Sequence, residues 1–384
     1  MTVIEPFLEI PDSLVESGGD GLNLCYQCGT CTALCPWSLV RPFNVRGIVR
    51  SAQLGLDVED GEDLWRCVTC GTCVANCPRE VPIINVVRSM RAMTASSGGY
   101  PMTIRSMRSS QQQYGNPWQG PPEARNAWAG TPGLPVFDGS QEWLLYVCCT
   151  SCYDVAARGP AQALASLLSA AGVSFGLAPA TAVCCGCSVR ETGDAELTES
   201  LGRRNVALFR ELGARKVLAS SPHCFNAFRK DYPAWGGEVE AAHYVTLLDE
   251  LLAADRLRPT RPVRRKVTYH DPCYLGRHNG VYDPPRRLLA RLPEAQVVEM
   301  PRNRELSLCC GGGGGGMFMD RPKGERFANL RLQEALDTGA DTLATACAYC
   351  HAMFRDAVRV MGVEDRIAVV DLAELLAEAI GETR

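Results

Sequence analysis

Cysteines recur along this chain at nearly fixed distances. Cys149 precedes Cys273 by 124 residues, Cys185 precedes Cys310 by 125, and Cys224 precedes Cys350 by 126. A drift of only two residues marks a duplicated unit rather than scattered thiols. The surroundings agree, because Ser220-Ser221-Pro222-His223-Cys224 stands against Ala346-Cys347-Ala348-Tyr349-Cys350. Each copy reads as strands alternating with helices. The first has strands at 143–147 and 216–220, with helices at 160–171, 197–212 and 243–254. The second has strands at 266–269, 296–300 and 342–346, with helices at 285–292, 321–338 and 371–380. Such alternation predicts parallel sheets in two α/β units, 143–258 and 259–384.

At the centre of the second copy stand Cys309-Cys310 and six glycines, Gly311 to Gly316. Adjacent cysteines pair with each other only at the cost of a strained peptide. Their side chains leave the backbone at one place, so both reach a single metal centre. Glycine lacks Cβ, so the backbone approaches that centre closely and adopts positive φ. A flexible linker is the other reading of a glycine run, and the cysteines gathered around this one argue against it.

Ahead of the repeat lies a second duplication. Cys25-x2-Cys28-x2-Cys31-x3-Cys35-Pro36 is followed by Cys67-x2-Cys70-x2-Cys73-x3-Cys77-Pro78. This is the bacterial ferredoxin spacing for two 4Fe–4S clusters, in which the fourth cysteine of each run serves the other cluster. Cys25, Cys28, Cys31 and Cys77 are therefore expected at one cubane, and Cys67, Cys70, Cys73 and Cys35 at the other. Zinc sites seldom use eight cysteines in this arrangement. Between and after the runs, 43–56 and 83–93 carry apolar residues at helical spacing, which predicts a small all-helical ferredoxin domain over 1–95. Trp65 reads as core packing.

Residues 96–142 are rich in Ser, Gln, Gly and Pro and read as a linker, with Trp118 and Trp128 available to pin it to a neighbouring surface. Twenty cysteines in a large chain without a basic, apolar leader at Met1 to Pro6 argue for metal ligands rather than a disulfide framework. A net charge of −4 gives no electrostatic case for nucleic acid. No apolar run approaches the roughly 20 residues that span a bilayer. The expected place is the cytoplasm, with attachment to the inner face of the membrane only through a partner subunit.

The pattern of one cysteine, a Cys-Cys-Gly some 35 residues on and a Cys-x-x-Cys after about 37 more resembles the CCG domain of the heterodisulfide reductase catalytic subunit. The ferredoxin block ahead of it, including Leu64-Trp65-Arg66-Cys67, resembles the small electron-transfer subunit of heterodisulfide reductases, and the whole layout resembles the catalytic subunit and the iron–sulfur subunits of glycolate oxidase and anaerobic glycerol-3-phosphate dehydrogenase. The resemblance implies an α+β multidomain fold, a helical two-cluster ferredoxin followed by two Rossmann-like CCG domains. It further implies a non-cubane 4Fe–4S centre on Cys273, Cys309, Cys310, Cys347 and Cys350 that splits a disulfide. In the first repeat Cys149, Cys184, Cys185 and Cys224 match, but Ser221 replaces the opening cysteine of Cys-x-x-Cys. Either Cys148, Cys152 or Cys187 substitutes, or the site holds a conventional cluster, or it holds packed free thiols.

His270 and His351 flank the ligand positions, as proton donors to a departing thiolate or as partners of backbone or sulfide. Arg286 and Arg287 read as a solvated helix face or as steering groups for an anion. The implied function is an oxidoreductase subunit that receives electrons from a flavoprotein or membrane cytochrome b and reduces a small or protein-borne disulfide. The alternative is an electron conduit of a flavin dehydrogenase acting on glycolate, lactate or glycerol 3-phosphate and feeding quinone. No G-x-G-x-x-G follows a predicted strand, so a flavin or haem belongs to the partner. A structural metal scaffold is the reading outside redox chemistry.

Overall fold

The computed structural model describes residues 7, 9–56, 61–96, 98–130 and 133–381; Met1 to Pro6, read above for a leader, lie outside the described residues. Two four-stranded parallel sheets form the scaffold. The first comprises β1 (Trp143–Tyr146), β2 (Phe175–Leu177), β3 (Lys216–Ala219) and β4 (Glu240–His243), in the order β2-β1-β3-β4. The second comprises β5 (Lys266–Tyr269), β6 (Gln296–Val298), β7 (Thr342–Thr345) and β8 (Ala368–Asp371), in the order β6-β5-β7-β8. The central strands β1 and β7 are buried along their whole length, as expected of apolar strands covered on both faces. Edge strands β4, β6 and β8 are only partly buried. The mixed sequences of β4 and β8 (Glu240-Ala-Ala-His243, for example) carry little strand signal, and β2 is only three residues with a central glycine, which is why these three escape a reading by periodicity.

In each sheet the strand order reverses beside the first strand, between β1 and β3 and between β5 and β7. This switch point is where open α/β sheets leave a crevice beyond their C-terminal edge. The two halves pack reciprocally. Helix Gly159–Ala170 lies on helix Leu372–Ile380, and helix Tyr244–Ala253 lies on helix Asp283–Ala290. These are equivalent helices of the two copies, so the contact is isologous, like that of a two-fold dimer. Leu164, Leu168, Leu248, Leu289, Leu375 and Leu376 fill it, each contributing roughly 2 kcal/mol of burial.

Three expectations change. The predicted helix 321–338 begins only at Phe327, because Pro322 precedes a short 3-10 turn at Lys323–Glu325. Helices Pro222–Lys230 and Ala348–Met361, which carry the Cys-x-x-Cys segments, are absent from the reading by periodicity. Finally, 96–142 is not a bare linker. It holds helix Met102–Tyr114 and a 3-10 segment Pro122–Ala129, and buries Ile104, Met107 and Trp128. Polar side chains interrupt its buried face and make hydrogen bonds there, such as Gln111 Nε2 to Ser188 Oγ at 2.6 Å and Ser110 Oγ to the Asn116 carbonyl at 2.7 Å. A buried face so interrupted leaves no apolar periodicity to read.

The described residues from Glu9 to Ser96 hold helices and no strand. Trp65 is buried with Ile104, Met107, Val183, Val189 and Leu201, so it does pack as core. This part is seated on both repeats. Trp37 meets Phe327 at 4.6 Å between rings, and Arg66 pairs with Glu325 at 2.6 Å. Arg88 donates to Glu191 at 2.9 Å. Burial pushes the Glu191 carboxyl up, but Arg88 and then Arg190 outweigh it and hold it at about 2. A carboxylate depressed on folding adds stability above its ordinary value of 4.5, and loses it as pH falls from there towards 2. Glu191→Gln therefore lowers the denaturant midpoint at pH 7 by the equivalent of about 3 kcal/mol, and the gap from wild type narrows below about pH 4. Equal midpoints for the two proteins at pH 7 would remove the pair from the account of stability.

Candidate metal centres

The thiols gather in four groups, each built by local backbone. In the ferredoxin runs the loops coil through left-handed positions on either side of the middle cysteine. These are Gln27 (φ 66) and Gly29 (φ 87) in the first run, and Thr69 (φ 50) and Gly71 (φ 80) in the second. Short helices Thr30–Leu34 and Thr72–Ala75 follow at once. This coiling turns thiols three residues apart inward.

Cys35 is pushed up by burial and then by Cys70, Cys67 and Cys31; Cys73 is pushed up by burial and then by Cys67, Cys70, Cys35 and Cys31. Cys35 thus stands among the thiols of the second run. An apolar cavity lined by Cys35, Cys67, Cys70, Cys73, Phe43 and Ile83 opens between them. In the first run Cys31 feels Cys25 and Cys28, while Tyr26 feels Cys28 and Cys77. Crowded thiols that oppose each other's ionisation are poor company without a cation, and a metal centre removes that penalty.

The second repeat draws its thiols from the C-terminal ends of three strands. His270 and Cys273 follow β5, Cys309 and Cys310 follow β6, and Cys347 and Cys350 follow β7. Cys273 Sγ lies 3.9 Å from Cys309 Sγ. Cys309 contacts Cys310, which contacts Cys350, which contacts Cys347. All five are buried. Ligand atoms of His270, Cys310 and Cys350 fall within 4.8 Å of one another. Arg331 Nε donates to His270 Nδ1 at 3.3 Å, so the ring proton sits on Nε2, a buried atom without a partner. His351 is not in this group. It reaches Glu374 at 3.9 Å, and burial, followed by Arg355, pushes it down to about 4.

Gly311 and Gly312 N–H groups donate to Cys309 Sγ at 3.3 Å and Cys310 Sγ at 3.5 Å. Gly313 and Gly314 meet the ferredoxin part rather than these thiols. A Cβ on Gly314 would stand 2.2 Å from the Cys67 carbonyl, and one on Gly313 would stand 2.5 Å from that of Val68. Through this docking Cys70 touches Cys309 thiol to thiol. Arg277 reinforces it, donating to the Cys70 carbonyl at 2.8 Å and to that of Ser307 at 2.7 Å. Beside this docking, a cleft of about 290 Å³ bordered by Trp37 and Val68 reaches Cys310 and Gly311 past Met317, Arg321, Arg326 and Met353.

In the first repeat Cys149 contacts Cys184, Cys184 contacts Cys185, and both Cys185 and Cys148 contact Cys224. Cys152 instead donates to the Val147 carbonyl at 3.5 Å, and Cys187 pairs with His223 Nδ1 at 3.4 Å. His223 lies between the two repeats, stacked on Tyr274 at 4.0 Å, 4.5 Å from Tyr349, and in contact with Cys347. His223 and Tyr349 occupy equivalent positions of the two copies, a relation visible in the repeat alignment but not its consequence in space.

The arginine readings also resolve. Arg286 is neither solvated nor free, because it grips Asp271 at 2.8 and 3.0 Å and Glu299 at 2.7 Å, fixing the loop before Cys273. Arg287 pairs with Asp249 on the surface.

Known proteins share this arrangement of motifs. The family described as "Cysteine-rich domain" (CCG) matches residues 143–229 and 267–355, and the "4Fe-4S dicluster domain" matches 24–81. One chain of the dihydromethanophenazine:CoB–CoM heterodisulfide reductase of Methanosarcina acetivorans is 32% identical over 97% of this chain and 81% of its own length. The probable iron-sulfur-binding oxidoreductase FadF of Bacillus subtilis is 33% identical over 78% of this chain and 45% of its own. EtfAB:quinone oxidoreductase of Syntrophomonas wolfei is 33% identical over 78% and 44%. The chain thus spans about half the length of the last two. Among the described residues no helix is long and apolar enough to cross a membrane.

Proposed function

The chain belongs to the CCG-domain family of iron–sulfur oxidoreductases that includes the heterodisulfide reductase of Methanosarcina, and from that premise we propose that it carries electrons through two cubane clusters to a non-cubane centre that reduces a disulfide. The proposed ligands are Cys25, Cys28, Cys31 and Cys77 for an outer cubane, and Cys67, Cys70, Cys73 and Cys35 for an inner one. Cys273, Cys309, Cys310, Cys347 and Cys350 are the proposed ligands of the reducing centre. Exposure supports this order, because Cys28 is exposed whereas Cys70 is buried against Cys309. Electrons enter at the surface from a partner, either a flavoprotein or a membrane cytochrome b, and leave the ferredoxin part through Cys70.

The observation that carries the reading is the cleft that ends on Cys310. When bound, the centre supplies electrons singly and an iron that accepts a sulfur, which a two-electron disulfide reduction requires. The surrounding residues supply the rest. Five thiols exceed what a closed cube takes up, Gly311 and Gly312 N–H groups hydrogen-bond two of them, and all five are buried. His270 stands beside Cys310 as a neutral imidazole that offers its ring N–H as a hydrogen bond to sulfur, and the two protons that convert one disulfide and two electrons into two thiols come from solvent through the cleft. Arg321 and Arg326 line the cleft together with Asp320, Glu325 and Asp356, and Arg326 pairs with Asp356, so the lining is of mixed charge.

Relay from a flavoprotein towards quinone is the second reading. It is favoured by the similarity to EtfAB:quinone oxidoreductase, and in it the same cluster path runs without a disulfide substrate. Anaerobic pull-down of partner subunits, with their cofactors identified, separates the two. For the first, reconstituted protein gives a paramagnetic iron–sulfur species distinct from ferredoxin cubes that changes on adding a disulfide. A spectrum of ferredoxin cubes alone would rule that reading out.

A further inference from the structure

We propose that Cys148 completes a five-thiol cluster site in the first repeat with Cys149, Cys184, Cys185 and Cys224, taking over the place that Ser221 vacates. The second repeat sets the comparison. There Cys347 begins helix Ala348–Met361 and makes no capping bond with its side chain, so its thiol is free to join Cys350. Its equivalent in the first repeat, Ser221, spends its hydroxyl as the helix cap, accepting from His223 N at 3.4 Å. That hydroxyl is turned to the backbone, as serine at a helix start prefers. The compensating thiol comes from the neighbouring strand end. Cys148 stands where the second repeat has Pro272, two residues beyond the end of β1, and it contacts Cys224. Ser220 Oγ accepts from Cys148 N at 2.9 Å and holds that loop to the end of β3. The ligand has moved across the switch point from one strand end to the next, and the thiol contacts run unbroken from Cys149 through Cys184, Cys185 and Cys224 to Cys148.

An independent observation concerns charge. Arg125, 1% exposed, donates to the Val147 carbonyl at 3.0 Å and lies 3.8 Å from Cys149 Sγ, over the Tyr146 ring. No carboxylate is among the partners it has in the described residues. A buried guanidinium needs a negative counterpart, and a thiolate-held cluster at Cys149 supplies one. Cys152 and Cys187 point to other partners, the Val147 carbonyl and His223, and stand outside the ring.

This inference rests on the reading of the second-repeat thiols as a cluster site, and iron counting separates the two. Reconstituted wild-type protein is expected to bind about 16 irons, four per cluster at four sites. Cys148→Ser is expected to lose about four of them while keeping the ferredoxin EPR signals, and Cys152→Ser to lose none. Adding Ser221→Cys to Cys148→Ser restores the loss and tests the exchange even if the single variant folds poorly. A wild-type count of about 12 leaves the second-repeat reading standing and overturns this one, whereas about 8 overturns both. A Cys148→Ser protein that keeps the full count and an unchanged Mössbauer spectrum shows that Cys148 is no ligand.

Discussion

Cys310→Ala abolishes disulfide reduction and removes the iron–sulfur signal that is not of ferredoxin type, while both ferredoxin signals persist. The effect is large because Cys310 sits at the junction of the site. Its thiol contacts Cys309 and Cys350, lies beside His270, and is the thiol at the end of the cleft. Contacts with Cys309 and Cys350 outweigh burial and draw it well below the ordinary thiol range, the state in which it binds metal. None of the eight ferredoxin-run cysteines is among the thiols Cys310 contacts, and Cys70 meets Cys309 instead, so their clusters survive. Rates fall at least about 1,000-fold, on the scale seen when a group used only in the reacting complex is removed. The measurement is disulfide turnover with a chemical reductant, alongside EPR of the same sample. Turnover within a few-fold of wild type would remove the second-repeat thiols from the mechanism.

Arg91→Met unfolds or loosens the seat of the ferredoxin part. Arg91 is fully buried, and its guanidinium lies 5.1 Å over the Trp65 ring. It donates to the carbonyls of Leu64 at 2.8 Å, Cys67 at 2.6 Å, Glu191 at 2.6 Å and Gly314 at 3.0 Å. One side chain thus ties the inner ferredoxin loop, the first repeat and the glycine run together. A methionine fills the volume but leaves four carbonyls unpaired, at about 1 kcal/mol or more each, so a loss of about 3 to 5 kcal/mol is expected. Arg91→Lys keeps the charge but not the fork of donors, and recovers only part. Anaerobic denaturant unfolding of the three proteins measures this. A Met variant within about 0.5 kcal/mol of wild type, the range of an ordinary surface substitution, would show that the seat is held elsewhere.

The sequence is readable where chemistry demands a fixed spacing. Two ferredoxin runs, the duplicated unit and the Cys-Cys-Gly segment follow from counting residues, because a metal centre fixes how far apart its ligands stand. Buried central strands are legible for a similar reason, since a strand covered on both faces must be apolar throughout. The connector at 96–142 reads wrongly as a linker, because Ser110, Gln111 and Arg125 are buried as polar groups, the last two with partners in the first repeat, Ser188 and Val147. Helices Pro222–Lys230 and Ala348–Met361 stay hidden because they carry thiols and aromatics chosen for the site.

The sequence by itself determined that this chain carries clustered metal-binding thiols on a ferredoxin part and two copies of one α/β unit. Only the tertiary structure decided how those parts meet. It brought Cys70 against Cys309, turned the glycine run to the ferredoxin loop, and placed Cys148 rather than Cys152 or Cys187 beside Cys224. The physical reason is that ligand spacing is local along the chain. Contact between separate loops depends on which backbone atoms approach within a Cβ radius, and that distance is set by the packed fold.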